Sequence, residues 1–188
     1  EKGIVYDEVN KVFRISYPFL EDPKDGLSDN RKQAQSMAEA LERRLTRSGK
    51  KEKFNQEFAK FIERGVLRVI SKKEQQEWLG AVHYTSLQVV YSDSVSTPER
   101  IVTNTSLKDP VTKKSMNEIL AKGPNMLSDS WSVSVRFRNY LLALASDVSK
   151  AYHRLLTGLL ELHTRRVLHR ENEGEPWVTY GFTCVSFG

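Results

Sequence analysis

The sequence predicts an α+β chain on three observations. Two stretches between residues 30 and 64 carry apolar side chains at helical spacing, residues 87–91 and 100–104 read as strands, and residues 141–146 form a continuous apolar run. A run of that last kind is the signature of a strand buried on both faces.

Taken in order, residues 9–17 (VNKVFRISY) alternate as a half-buried strand that Pro18 ends, and Pro23 and Gly26 mark turns. Asn30 is placed to cap a helix, with Gln33 as its reciprocal partner. Ala34, Met37, Ala38, Leu41 and Leu45 then form one stripe, which Ser48-Gly49 stops. A second helix is expected from Lys51 to Arg64, with Phe54, Phe58, Phe61 and Ile62 on one face and Gly65 as its stop. Ser71 and Glu74 open a short helix that Gly80 closes. A polar loop containing Pro98 joins the strands expected at 87–91 and 100–104, and another short helix is expected around Met116–Leu120.

Residues 131–137 are ambiguous. Trp131, Val133, Val135 and Phe137 alternate, yet Ser128-Asp129-Ser130 is a good helix start. After the apolar run a helix is expected through Tyr152 and Leu156. Two strands follow, near Arg165–His169 and Trp177–Cys184, separated by the turn-rich 171–176.

A chain of 188 residues with 39% hydrophobic and 28% charged content is long enough to bury a core. No stretch approaches the roughly 18 apolar residues of a membrane span, so no membrane partner is expected. The chain starts at Glu1 with its first methionine at Met37 and no signal-peptide pattern, which reads as a cut or processed end. The lone Cys184 leaves no internal disulfide and no cysteine-rich zinc site, and fits a reducing cytoplasmic or nuclear interior. His83, His153, His163 and His169 lack zinc-enzyme spacing, and none is expected to bind metal.

The net charge of +5 is unevenly spread. Arg31 to Lys73 holds 13 Lys/Arg against 5 Asp/Glu, a polyanion-binding footprint that includes Lys50, Lys51 and Lys53, or else a solvated helix surface. Lys113 and Lys114 read as template-phosphate contacts or as a solvated loop. The best candidate for chemistry is Ser146-Asp147-Val148-Ser149-Lys150-Ala151-Tyr152-His153. An acid at the exit of a buried strand is fixed by that strand while its oxygens face a cleft. It could hold a cation there, or cap the following helix.

This segment resembles the first catalytic motif of reverse transcriptases, an aspartate followed five residues later by an aromatic. Its neighbours line up in the matching order. Arg100-Ile101-Val102 resembles the fingers strand whose arginine meets the incoming triphosphate. Ser115-Met116-Asn117-Glu118-Ile119-Leu120 with Gly123-Pro124-Asn125, and then Arg136-Phe137-Arg138, are similar to segments of LTR retrotransposons of the BEL/Pao class. Tyr180 to Gly188 resembles the strand leading to the next polymerase motif. The match is closer over 41–188 than over 11–40.

The resemblance implies reverse-transcriptase fingers with part of the palm, truncated before the Tyr-x-Asp-Asp motif. Its divisions would be a lead-in strand and linker (1–40), a helical pair and fingers strands (41–118), a palm segment (119–154) and a second fingers segment (155–188). It also implies an RNA-directed DNA polymerase of a retrotransposon polyprotein, inactive as this fragment alone. Asp147 and the Val148 carbonyl would hold magnesium, Arg100 would bind the triphosphate, and Tyr152 would lie under the sugar. The partners would be RNA/DNA template-primer, deoxynucleotides and the remainder of the polyprotein. The chain departs from the class at Asn104, which stands where the class has an acid, at His83-Tyr84-Thr85-Ser86-Leu87, and between Gln88 and Glu99, which hold no lysine or arginine. These departures give the alternative, a non-enzymatic nucleic-acid-binding domain of reverse-transcriptase descent.

Overall fold

A computed structural model describes residues 3–9, 11–91, 93 and 99–186. The loop with Pro98, most of the stretch from Gln88 to Glu99 beyond Tyr91, and the end of the Tyr180–Gly188 segment lie outside the described residues. The chain is mixed α+β, as expected, with two three-stranded sheets and a hairpin.

The first expected strand, 9–17, appears as β2 (Val12–Ile15), which pairs antiparallel with an unforeseen β1 (Ile4–Asp7). The turns at Pro23 and Gly26 fall in the one-turn α1 (Pro23–Gly26). Helices α2 (Arg31–Arg47) and α3 (Lys51–Glu63) follow as the two stripes predict. Gly49 and Gly65 end them in the left-handed region, at φ of 66° and 69°, where a side chain would be strained. Asn30 precedes α2 but its side chain does not cap it. Its amide instead pairs both ways with the Tyr84 backbone, accepting from the N–H at 2.7 Å and donating to the carbonyl at 3.0 Å.

Beyond α3 lie β3 (Leu67–Val69) and α4 (Lys72–Glu77), the latter capped by Ser71, whose hydroxyl accepts from the Glu74 amide. Strands β4 (Ser86–Tyr91) and β5 (Glu99–Asn104) pair antiparallel. The short α5 (Met116–Ile119) carries a capping box between Ser115 and Glu118. The ambiguous segment is helical, α6 (Ser130–Phe137), because Asp129 accepts from the Ser132 amide at 2.8 Å.

The helix expected through Tyr152 and Leu156 is a 3-10 turn at Ala151–Arg154 followed by β6 (Leu155–Thr157), which pairs parallel with β2. A short α7 (Leu159–Thr164) leads into β7 (Arg166–His169), and β8 (Val178–Phe182) joins β7 to β3. The expected divisions at 40/41 and 118/119 fall within α2 and α5.

The main core lies where α2 and α3 cover the β4–β5 hairpin and the β3-β8-β7 sheet. Leu45, Phe54, Phe58, Leu87, Ile101, Val167 and Phe182 meet there. Met37 and Ile62 sit at the edges of their stripes, 36% and 39% exposed.

The largest departure from expectation is the apolar run. Residues 141–146 form no strand and are not buried; Leu141, Leu142 and Leu144 are almost wholly exposed. No described strand pairs with this run, and every residue from 122 to 152 is exposed. An apolar run records a need for cover on both faces, and nothing within the described residues provides it.

The buried histidines tie stability to pH. Burial, then the neighbouring Arg166, pushes the His163 ring down to about 4; burial, then Lys51, does the same to His169. Both rings are therefore neutral in the fold at pH 7, while the unfolded chain takes up protons near pH 6.5. The stability they contribute is complete above pH 6.5 and is lost as pH falls towards 4, at up to about 1.4 kcal/mol per pH unit for each ring. Urea unfolding at pH 7.5 and pH 5 checks this: the midpoint drops at pH 5, and His169→Phe, which keeps the ring stacked on Phe58, reduces the drop.

Candidate functional site

The structure does not bring the expected polymerase residues together. Asp147 lies in irregular, exposed chain rather than at a strand exit, because the strand meant to hold it is not formed. Val148 beside it is 61% exposed. One carboxylate and one carbonyl are two of the six oxygens that magnesium takes. Among the described residues no group of three or more His, Cys, Asp or Glu could hold a metal.

Arg100 sits exposed on β5 opposite Val90. The expected nucleic-acid lysines have internal partners. Lys50 and Lys53 converge on Glu99, at 3.4 and 3.2 Å, and Lys50 also lies 3.8 Å over the Tyr91 ring. Lys51 pairs with Glu42 at 2.9 Å. Lys114 pairs with Glu21 at 2.6 Å, and Lys113, itself at a left-handed φ, donates to the Pro110 carbonyl. The basic side chains facing an open hollow are others: Arg43, Arg44 and Arg47 on α2.

Tyr152 alone of the expected residues lines a sizeable cleft, of about 450 Å³, between the end of β2, α5 and the chain after β8. Tyr17, Thr105, Asn117, Ser186 and Arg165 line it too. Arg165, which follows α7, is 1% exposed. Its Nη2 donates to the Cys184 carbonyl at 3.0 Å and to the Thr157 hydroxyl at 3.1 Å. Its Nε reaches the Glu161 carbonyl, and Nη1 reaches the Ser186 hydroxyl, both at 3.4 Å. The guanidinium also lies 4.7 Å over the Tyr17 ring.

Every hydrogen-bond partner of this cation is neutral. The Glu161 carboxylate acts on it only at a distance, because its two oxygens accept from the Tyr17 and Gly158 amides at 2.9 and 3.1 Å. Burial consequently pulls the Arg165 guanidinium below its ordinary value and pushes the Tyr17 phenol and the Cys184 thiol up.

Sequence reasoning missed Arg165 because α7 was not foreseen. The only trace is a tandem Arg165-Arg166 ahead of an apolar strand, which reads equally well as surface charge. It also missed Asp109, which is wholly buried and accepts from the Ser28, Val111 and Thr112 amides. Burial alone would raise that carboxyl, but these donors hold it down at about 2. The result is a rigid loop between β5 and α5, at the rim of the cleft.

No protein-family model, curated protein or solved structure matches this chain.

Proposed function

We propose that the chain is the fingers and part of the palm of a reverse transcriptase from a retrotransposon polyprotein. The observation that carries this reading is the order of its segments: Arg100, then Ser115–Leu120 with Gly123-Pro124-Asn125, then Arg136-Phe137-Arg138, then Asp147 and Tyr152, then Tyr180 onward. An antiparallel hairpin presenting Arg100, backed by a helical pair, supports it.

In this reading the chemistry belongs to the complete protein and is phosphoryl transfer, in which positioning and charge neutralisation do most of the work. Magnesium would neutralise charge at the primer 3′-hydroxyl and at the departing pyrophosphate. Asp147 and the Val148 carbonyl would contribute two oxygens to that site, with the rest from carboxylates elsewhere. Arg100 would fork onto the triphosphate through paired N–H groups. The Tyr152 ring would block a ribose 2′-hydroxyl.

The parent protein should extend a primer with deoxynucleotides and magnesium, and Tyr152→Val should let ribonucleotides in by at least about tenfold, the equivalent of about 1.4 kcal/mol of discrimination lost. Unchanged sugar selectivity would remove the gate, and no extension at all would remove the polymerase reading. Exposed Arg43, Arg44 and Arg47 favour the second reading, a nucleic-acid-binding descendant. That reading gains if extension is absent but binding persists and weakens steeply with salt.

A further inference from the structure

We propose that the cleft floored by Arg165 binds a small organic anion, a phosphate monoester or a carboxylate carried on an apolar or aromatic body. The inference does not rest on the polymerase reading. It starts from a cation that has been taken out of water without an acid hydrogen-bonded to it. Such a charge is costly unless paired, and neutral carbonyls and hydroxyls compensate it only in part. The Tyr17 ring beneath the guanidinium adds a modest attraction.

The cleft beside it has the size of a small-molecule site. Among the described residues its lining contains no acidic side chain, and Arg165 is its one cationic side chain. Ile15, Met116 and Leu120 give it apolar walls, and Asn117 and Thr105 offer polar groups around the opening. One of the two longest links at the guanidinium, and the one that reaches a cleft-lining side chain, is the 3.4 Å contact from Nη1 to Ser186, whose hydroxyl also lies 3.3 Å from that of Thr103. An oxyanion replacing the Ser186 hydroxyl at Nη1 would gain a charge-assisted bond where a marginal neutral one exists. The aromatic or aliphatic body would then lie against the apolar walls and the ring of Tyr152.

The test uses the full chain with phenyl phosphate, benzoate and neutral benzyl alcohol, read by thermal shift and calorimetric titration. At least one oxyanion should bind saturably with a Kd of about 1 mM or tighter and raise the melting temperature. Whichever of the two binds more tightly identifies the headgroup. Benzyl alcohol should bind at least about tenfold more weakly, because it lacks the charge. Arg165→Met should abolish oxyanion binding. Should that variant fail to fold, Ala121→Trp, which puts a bulky side chain on the cleft lining and keeps the guanidinium, should abolish it instead. No saturable binding of either oxyanion, benzyl alcohol binding as well as benzoate, or undiminished binding in a folded Arg165→Met or Ala121→Trp protein overturns the proposal.

Discussion

Asp147→Asn in the complete polyprotein is expected to remove primer extension, by at least about a thousandfold, while leaving the stability of this region unchanged. The two halves come from different parts of the argument. In the polymerase reading, Asp147 supplies negative charge to cations that act on the reacting phosphate, and an amide supplies none. Losing one such interaction costs about 4 kcal/mol in the transition state, which corresponds to about a thousandfold in rate. In the structure, by contrast, the side chain is exposed in irregular chain, and exposed substitutions of this kind change stability by at most about 0.5 kcal/mol.

A fall in rate without a fall in melting temperature would therefore isolate chemistry from folding. Asp129→Asn is the matched control, because asparagine also caps helices and Asp129 lies in the same exposed stretch. Extension within about tenfold of the parent in Asp147→Asn would end the assignment. A loss of the same size in Asp129→Asn would point to a general disturbance of the segment instead.

How much could be read in advance depended on how far apart the interacting residues lie. Helices α2 and α3 were legible because their stripes and their stopping glycines are local, and the β4–β5 hairpin because short runs rich in β-branched residues mark both strands. Residues 131–137 became a helix through Asp129, a neighbour already suspected as a start. The pairing of β6 with β2 joins Phe13 to Leu155, and no periodicity encodes a partner that distant. The same holds for Leu141–Leu144, where the sequence specifies a hunger for cover but not its source. At the candidate site only Tyr152 carried over from sequence to cleft. Arg165 was invisible because its partners at residues 17, 157, 161, 184 and 186 meet only after three elements fold together.

Glu42 shows the same effect on the energetic side, and Glu42→Ala is expected to be strongly destabilising. From the sequence it is one of five acids in a basic stretch, a plausible surface residue. In the fold it is 6% exposed and stands between two cations. Lys51 donates to Oε1 at 2.9 Å, and Arg170 donates to Oε2 through Nε at 3.2 Å and Nη2 at 2.7 Å. Lys51 also donates to the Arg170 carbonyl, and the Arg170 guanidinium lies 4.4 Å over the Trp177 ring. The carboxylate thus joins α2, α3 and the chain after β7. Burial would raise its pKa, but the bonds from Arg170 and Lys51 outweigh burial and lower it. Removing it leaves two partly buried cations facing each other without their common anion. Breaking a buried pair in this way costs about 3–5 kcal/mol, out of the roughly 5–15 kcal/mol that holds a domain together. At about 2–4 °C per kcal/mol for a chain this long, the melting temperature should fall by about 10 °C. Lys114→Ala, which breaks an ion pair with Glu21 at the surface, should cost at most about 1 kcal/mol. Glu42→Gln should fall between the two, since it keeps the shape and part of the hydrogen bonding. The depressed pKa fixes the pH window as well: the contribution of Glu42 is present above pH 4.5 and is lost as pH falls below it, so the gap between wild type and Glu42→Ala should narrow in acid. A Glu42→Ala protein that melts within about 2 °C of wild type at pH 7 would mean that the network is solvated in solution and holds nothing together.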